Sequence, residues 1–405
     1  MILIGQMVHE KSRRLFAAVA FSVMALTVSA DAQTTEPIKI GFLGTLTGPA
    51  AFLGMNGRYG VELAVKEINA KGGIAGRRVD LVVADDQGDT TAAVNEIRRL
   101  LFNEKVQLVT GLAFSQTSLA VLPVATEAKV VTLGMSGAAG MTPQAGPYNF
   151  SVLATGVSNA LGTAAYFKNI LKVKSAAVLW DGTPNAKDIA ELFKTTMEKE
   201  GIPITGVQSF QFTETDMTPQ LLSLRRGNPD AIYLITGNST SIGKVLANRN
   251  ELGWDVFIVG QSIVVTYPSA IKMAGPDAYK NTSGMYYKAL TYCPGENVAD
   301  LSFAKFMVNL TKELGEKIKE YSPGLIAQQY DEVYLFKAAV EGTGGKTDGP
   351  SVAKWIEENG SKIKLVSTAA EADKDSHFLM RVSGIVFVRE PKAPEPNGLR
   401  PREGC

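Results

Sequence analysis

Histidine is nearly missing from this sequence of 405 residues: there are two, His9 and His377. A histidine-rich metal centre or a Ser-His-Asp triad therefore has at most one candidate in the body of the chain. Cysteine is as scarce. Cys293 and Cys405 are too few for a disulfide framework or a four-cysteine zinc site. Excess charge is lacking too, with 41 Lys and Arg against 40 Asp and Glu. No basic surplus exists to neutralise phosphates, so nucleic acid is not the expected partner. Nucleotide motifs are also absent. Gly41-Phe42-Leu43-Gly44 follows a strand without opening a G-x-G-x-x-G, and no G-x-x-x-x-G-K-[ST] occurs. Gly72-Gly73-Ile74-Ala75-Gly76-Arg77 follows a helix and precedes a strand, the wrong order for a phosphate cradle. Asp85 and Asp86 are adjacent at a strand end and point to opposite faces, which spoils a shared metal or acid–base site and reads as a turn with an exposed carboxylate. His377 lies among Asp373, Lys374, Asp375 and Ser376, a polar turn. Neither cofactor nor catalysis is expected.

What is present is ordinary globular composition, 45% hydrophobic and 20% charged, in a chain long enough for more than one domain. Near the start, Lys11, Arg13 and Arg14 precede the apolar run Leu15 to Val28, followed by the small-x-small sites Val28-Ser29-Ala30 and Ala30-Asp31-Ala32. That is the pattern of a cleaved secretory signal peptide over residues 1–32, with Met1 or Met7 as start. The run is short for spanning a bilayer, and no later segment is long and apolar enough to do so. The mature protein is therefore expected in the periplasm. An oxidising compartment allows Cys293 and Cys405 to pair; the sequence alone leaves that open.

From Ile38 onward, short β-rich runs alternate with amphipathic helices. Strands are expected at Ile38–Leu43, Val79–Val83, Val106–Thr110 and Val130–Leu133, with helices such as Gly57–Ala70 between them. The alternation restarts after Tyr148–Leu153. Helical runs between strands mean βαβ crossovers and a mostly parallel sheet, and the length suits two such sheets. The last strands, near Phe378–Val382 and Ile385–Val388, read as a hairpin. The proline- and charge-rich 391–405 reads as a flexible tail.

Three loops after first-half strands stand out: Gly44–Gly54, Gly111–Ser118 and Gly134–Thr142. They are rich in Gly, Ser, Thr and Ala and carry no charged side chain. Open parallel sheets bind ligands beyond the carboxyl ends of their strands, and helix N-termini there favour an anion.

The stretch Ile38–Arg77 resembles the start of the leucine/isoleucine/valine-binding proteins, periplasmic receptors of branched-chain amino acid ABC transporters. The matching pieces are Leu46-Thr47-Gly48-Pro49-Ala50-Ala51, Gly54, Asn56-Gly57 and Ile68–Arg77; Asp85–Asp89, Ser115 and Tyr330-Asp331 follow in order. The resemblance implies an α/β, type I periplasmic-binding fold: two doubly wound lobes joined by three hinge crossings. It places 33–153 and 284–372 in lobe I, and 154–283 and 373–390 in lobe II. It also implies a monomeric receptor that performs no chemistry and presents its closed form to an inner-membrane permease.

In that family a first-lobe serine and backbone N–H groups hold the ligand carboxylate. Those positions fall on Ala113, Phe114 and Ser115, then on Ser136, Gly137 and Ala138, where the usual second-loop threonine has become Gly137 or Ala138. The family's second-lobe carboxylate, which clamps an ammonium, falls on Gln261 or Ser262. Its covering tyrosines fall on Asn185 and near Asn238, and its small-loop disulfide positions on Gly88 and Phe114. With Leu53 and Phe114 as apolar walls, these departures suit an organic, and foremost an aromatic, carboxylate without an ammonium. Branched-chain amino acids, amides or urea are the alternative ligands, and a sensor rather than a permease the alternative partner.

Overall fold

The computed structural model describes residues 36–48, 51–138, 140–211, 213–266, 268–389 and 398–405. The signal-peptide expectation for residues 1–32 lies outside them.

In the first lobe, β1 (Ile38–Gly44), β2 (Val79–Asp85), β3 (Leu108–Leu112), β4 (Val131–Gly134) and β5 (Asn149–Ala154) form one sheet with β12 (Phe378–Met380), in the order β12-β5-β4-β3-β1-β2. Every pairing in it is parallel. Both faces of such a sheet are covered, so its strands are apolar on both sides. Ile38, Ile40 and Phe42 pack with Val61, Ala64 and Ile68 of α1 (Ala51–Ala70). Leu43, Val109 and Leu112 pack with Ala93 and Ile97 of α2 (Thr90–Arg98) and with Val121 of α3 (Ser115–Ala128) on the other face.

The second sheet has the order β13-β10-β9-β8-β6-β7. Its strands are β6 (Ala176–Trp180), β7 (Ile204–Ser209), β8 (Ala231–Ile235), β9 (Phe257–Gly260), β10 (Thr282–Tyr287) and β13 (Ile385–Arg389). Here β13 alone runs antiparallel, against β10. Phe167, the first residue of the helical stretch that continues α4 (Gly156–Tyr166), meets Phe193 of α5 (Pro184–Lys199) edge-on at 5.2 Å and anchors one face. Ile242, Val245 and Leu246 of α7 (Ser239–Glu251) cover the other, α6 being Thr218–Arg225. Arg249 of α7 is buried. It donates to the carbonyls of Val256 (2.9 Å), Ala278 (2.6 Å) and Lys280 (2.6 Å), and so fixes the turn that leads into β10.

Three stretches pass between the sheets: after β5, after β10, and between β12 and β13. The last overturns the expected hairpin. β12 pairs with β5 and β13 with β10, with only Val382–Gly384 as a short helical turn between them. The sheets also shift the expected lobe boundaries, since Thr282–Tyr287 belongs wholly to the second sheet and Phe378–Met380 to the first.

Residues 398–405 are not a free tail. Leu399 is buried, β14 (Arg400–Pro401) pairs in parallel with β11 (Thr291–Tyr292), and Cys405 is disulfide-bonded to Cys293. His377 is no polar turn either. It is 2% exposed, stacks on Phe150 at 4.0 Å, and bonds Asn149 O through Nδ1 and Glu357 through Nε2. His377 thereby clamps α10 (Gly349–Asn359) to the edge of the first sheet, α8 (Ser302–Leu314) and α9 (Pro323–Gly342) being the two long helices before it.

Candidate functional site

Chain direction decides where the two sheets meet. β5 and β12 leave the first sheet at their carboxyl ends, and β10 leaves the second at its carboxyl end. β13 enters the second sheet at that same end, with Ile385 opposite Tyr287. The carboxyl edges of both sheets therefore face the crossings, with the loops after β1, β3 and β4 on one side and those after β6, β8 and β9 on the other. All eleven residues expected at the site belong to these loops or to the helix turns that follow them.

The first loop is held by the strand beside it. Leu46 N–H and Thr47 Oγ1 donate to the Asp85 carboxylate at 2.8 and 2.7 Å, and Thr45 Oγ1 donates to Asp86 at 2.5 Å. Burial pushes the Asp85 carboxyl up, but the hydrogen bonds from Thr47, Leu46 and Gln87 outweigh it and hold the group below the usual carboxylate range. Asp86 is buried, not the exposed turn carboxylate the sequence suggested. Sequence reasoning missed this role because it searched the aspartate pair for a metal or proton site. α1 then starts at Ala51 rather than Gly57, which puts Leu53 in its first turn, half-buried against the lobe core. Gly54 makes that start possible, since a Cβ there would lie 1.9 Å from Thr45 O.

Phe114 and Ser115 stand at the start of α3. Phe114 is the N-cap and offers no side-chain acceptor, so the first-turn N–H groups of this helix keep their donor capacity. The Ser115 side chain is exposed beside them and Ala113 and Phe114 are half-buried. In the next loop Ser136 is buried, and its Oγ accepts the Ala138 N–H at 3.3 Å. That bond closes the turn internally and occupies one of the backbone donors expected to face a ligand. Gly137 approaches Ala154 O at the first crossing.

Beneath the Ser115 loop lies a buried acid. Glu332 of α9 accepts from Thr110 Oγ1, and Thr110 also contacts Gln329 at 3.3 Å. Burial pushes the Glu332 carboxyl up to about 8 against the bonds from Thr110 and Gly111. Next to it, burial pushes Asp331 up to about 7 although it accepts from Val366 N–H and from Ser367 N–H and Oγ.

On the second lobe, Asn185 is an exposed residue in the first turn of α5. Asp181 is buried and accepts both the N–H and the hydroxyl of Thr183, the cap of that helix, so its charge is engaged within its own turn. Asn238 caps α7 by accepting Ser241 N–H at 2.9 Å through Oδ1, which leaves its amide NH₂ as the group that can face the cleft. Gln261 and Ser262 are half-buried after β9. A separate pocket of about 210 Å³ opens beside the first crossing, lined by Met141, Thr155, Asn185, Ile189 and Phe378. Asn185 alone among the expected residues reaches it, and the Asp188 and Asp375 carboxylates in its otherwise mostly apolar wall disfavour an anion there. The donor set lies at the strand ends. Among the described residues no group of three or more His, Cys, Asp or Glu could hold a metal ion, and no helix is long and apolar enough to cross a membrane.

Known proteins resemble this chain in sequence and in fold. The family described as periplasmic binding protein matches residues 37–388. A Brucella melitensis protein named Leu/Ile/Val-binding protein homolog 7 is 28% identical over 372 residues, covering 87% of this chain and 84% of its own length. Among solved structures, a branched-chain amino acid transporter substrate-binding protein from Streptococcus pneumoniae, in complex with isoleucine, superposes with a TM-score of 0.72. It is 23% identical, over 90% of this chain and 98% of that one. A solute-binding protein of an ABC transporter from Rhodopseudomonas palustris, in complex with p-hydroxybenzoic acid, gives 0.70 at 23% identity, over 87% and 93%. At that identity the two structures establish the fold alone.

Proposed function

The chain belongs to the periplasmic binding protein family, and from that premise we propose that it is the solute receptor of an ABC importer, acting as a monomer on a small organic carboxylate, foremost an aromatic acid. One observation carries the choice of ligand class. The first lobe offers the uncapped first turn of α3 with the Ser115 hydroxyl beside it, while the facing second-lobe positions Asn185, Asn238, Gln261 and Ser262 are all neutral. Backbone N–H groups at a helix N-terminus and a hydroxyl suit a carboxylate. An α-ammonium needs a counter-charge when buried, and leaving it without one costs several kcal/mol. Asp181, the acidic residue that follows β6, accepts from Thr183 through Oδ1. Leu53 and Phe114 supply apolar surface for a ring.

Hinge closure is the mechanism. The ligand bridges the two carboxyl edges, the lobes rotate about the crossings, and the closed form docks on a membrane permease. The isoleucine and p-hydroxybenzoic acid complexes of similar folds mark the two ligand classes to compare. A thermal-shift panel of benzoates, aliphatic acids, branched-chain amino acids, amides and urea on ligand-stripped protein tests the reading. Stabilisation by the acids lacking an ammonium is expected. Stabilisation by leucine, isoleucine or valine alone would assign the site to amino acids instead.

A further inference from the structure

Residues 398–405 run alongside the second crossing and touch both lobes. At their start, Leu399 is buried, and a Cβ on Gly398 would come within 2.7 Å of Met307 Cγ and 2.9 Å of Phe303 Cε1, both on α8 of the first lobe. In the middle, Arg400 and Pro401 pair with Thr291 and Tyr292. Arg402 adds an N–H bond to Tyr292 O at 2.9 Å and an Nε bond to Thr291 Oγ1 at 3.0 Å. At the end, Glu403 and Gly404 contact the second lobe. Glu403 N–H donates to Phe387 O at 2.9 Å. The Glu403 carboxylate accepts from Tyr166 Oη and from Ser283 Oγ (2.5 Å) and pairs with Arg389 Nε at 2.7 Å. Gly404 lies against Ile170.

The disulfide then closes the path. Cys293 lies just after β11 in the second crossing, and Cys405 is 112 residues further on, beyond the third crossing. The bond joins one crossing to chain that has already passed through another. A rotation that separates the lobes must therefore either lift Gly398 off Met307 and Phe303 or pull against the disulfide-closed ring and the Glu403 contacts to Tyr166, Ser283 and Arg389. We propose that residues 398–405 form a strap, locked by Cys293–Cys405, that limits how far the two lobes open in the empty receptor. The strap narrows the open ensemble, so less conformational freedom is lost on closing over a solute. The proposal rests on the two-lobed fold and holds whatever solute is bound.

The test uses ligand-stripped full-length protein before and after dithiothreitol. The dithiol delivers two electrons and two protons, the S–S bond becomes two thiols, and the reagent closes into its own cyclic disulfide; iodoacetamide then caps the thiols. Small-angle scattering should show a larger radius of gyration after reduction. Amide exchange should rise at least tenfold at 288–292 and 385–389, with the far-UV dichroism unchanged. The double variant Cys293→Ser/Cys405→Ser should behave the same without reductant, and Glu403→Gln, which keeps the disulfide, should show a smaller rise of two- to fivefold. Should the serine variant fail to fold, reduction of the folded wild type still decides. Unchanged scattering with faster exchange confined to 398–405 would overturn the proposal. So would loss of the far-UV signal on reduction, because the bond would then hold the fold and not the hinge angle.

Discussion

Removing the Ser115 hydroxyl takes one hydrogen bond from the proposed carboxylate and leaves the helix N–H groups in place. A lost bond to a charged group costs about 1.5–3 kcal/mol. Ser115→Ala should therefore weaken binding roughly ten- to a hundredfold, at about 1.4 kcal/mol per decade, with the melting midpoint of the empty protein unchanged because Ser115 is exposed. Calorimetric titration of the variant checks this; an affinity equal to wild type would remove Ser115 from the site. Gly54 makes the opposite case, where shape rather than charge is at stake. Any Cβ there must displace the Thr45 backbone, so Gly54→Ala should lower stability by about 1–3 kcal/mol, the usual cost of overpacking. It should also loosen the loop that Asp85 and Asp86 hold, and denaturant unfolding together with amide exchange at 44–48 reads both effects. The role of Asp85 and Asp86 was not legible beforehand, because a hydrogen bond to the loop that ends the neighbouring strand β1 leaves no spacing signal in sequence.

α9 shows what an element can hide. It runs from Pro323 to Gly342, and its apolar residues were legible. Yet it carries Asp331 and Glu332 into full burial, which no periodicity announces. Glu332, raised to about 8, keeps its proton in the folded state across a range where the unfolded chain has lost it above about 4.3. Below that range both states are protonated and the group contributes nothing. As pH rises from about 4.3 to 8 the folded state is increasingly penalised, and stability falls with the sign that linkage requires. Glu332→Gln should therefore gain stability over wild type with rising pH and level off above about 8. Urea unfolding of both proteins at several pH values checks this, and a pH-independent difference would show that burial does not set the Glu332 proton.

Other elements were misplaced for local reasons. Gly54 and Gly57 look like helix breakers, but they serve close packing against Thr45 and Gln329, so α1 runs through them. The short gap between β12 and β13 looks like a hairpin loop, because two strands four residues apart carry no mark of which sheet each will join.

At the scale of the whole molecule, the βα alternation specified two mostly parallel sheets, and the strand ends where the proposed binding residues gather followed from that. What lay beyond reach was every feature made by distant chain segments: the split of the last strands between sheets, the burial of His377, and the strap closed by Cys293 and Cys405. The receptor reading makes a molecular demand of its own. A solute that binds only the folded form raises its stability by mass action, by about 2.7 kcal/mol at a hundred times the dissociation constant, and the solute should be recovered unaltered afterwards.

The central claim is that the cleft holds a carboxylate and has no place for an ammonium. Isothermal titration of ligand-stripped protein with 4-hydroxybenzoate and with L-leucine, under one buffer and temperature, tests it most directly. Saturable one-to-one binding of the aromatic acid, with leucine at least a hundredfold weaker, is the expected result. Tight binding of leucine with none of the aromatic acid would contradict the account, and would mean that a second-lobe group other than Asn185, Asn238, Gln261 or Ser262 supplies the charge.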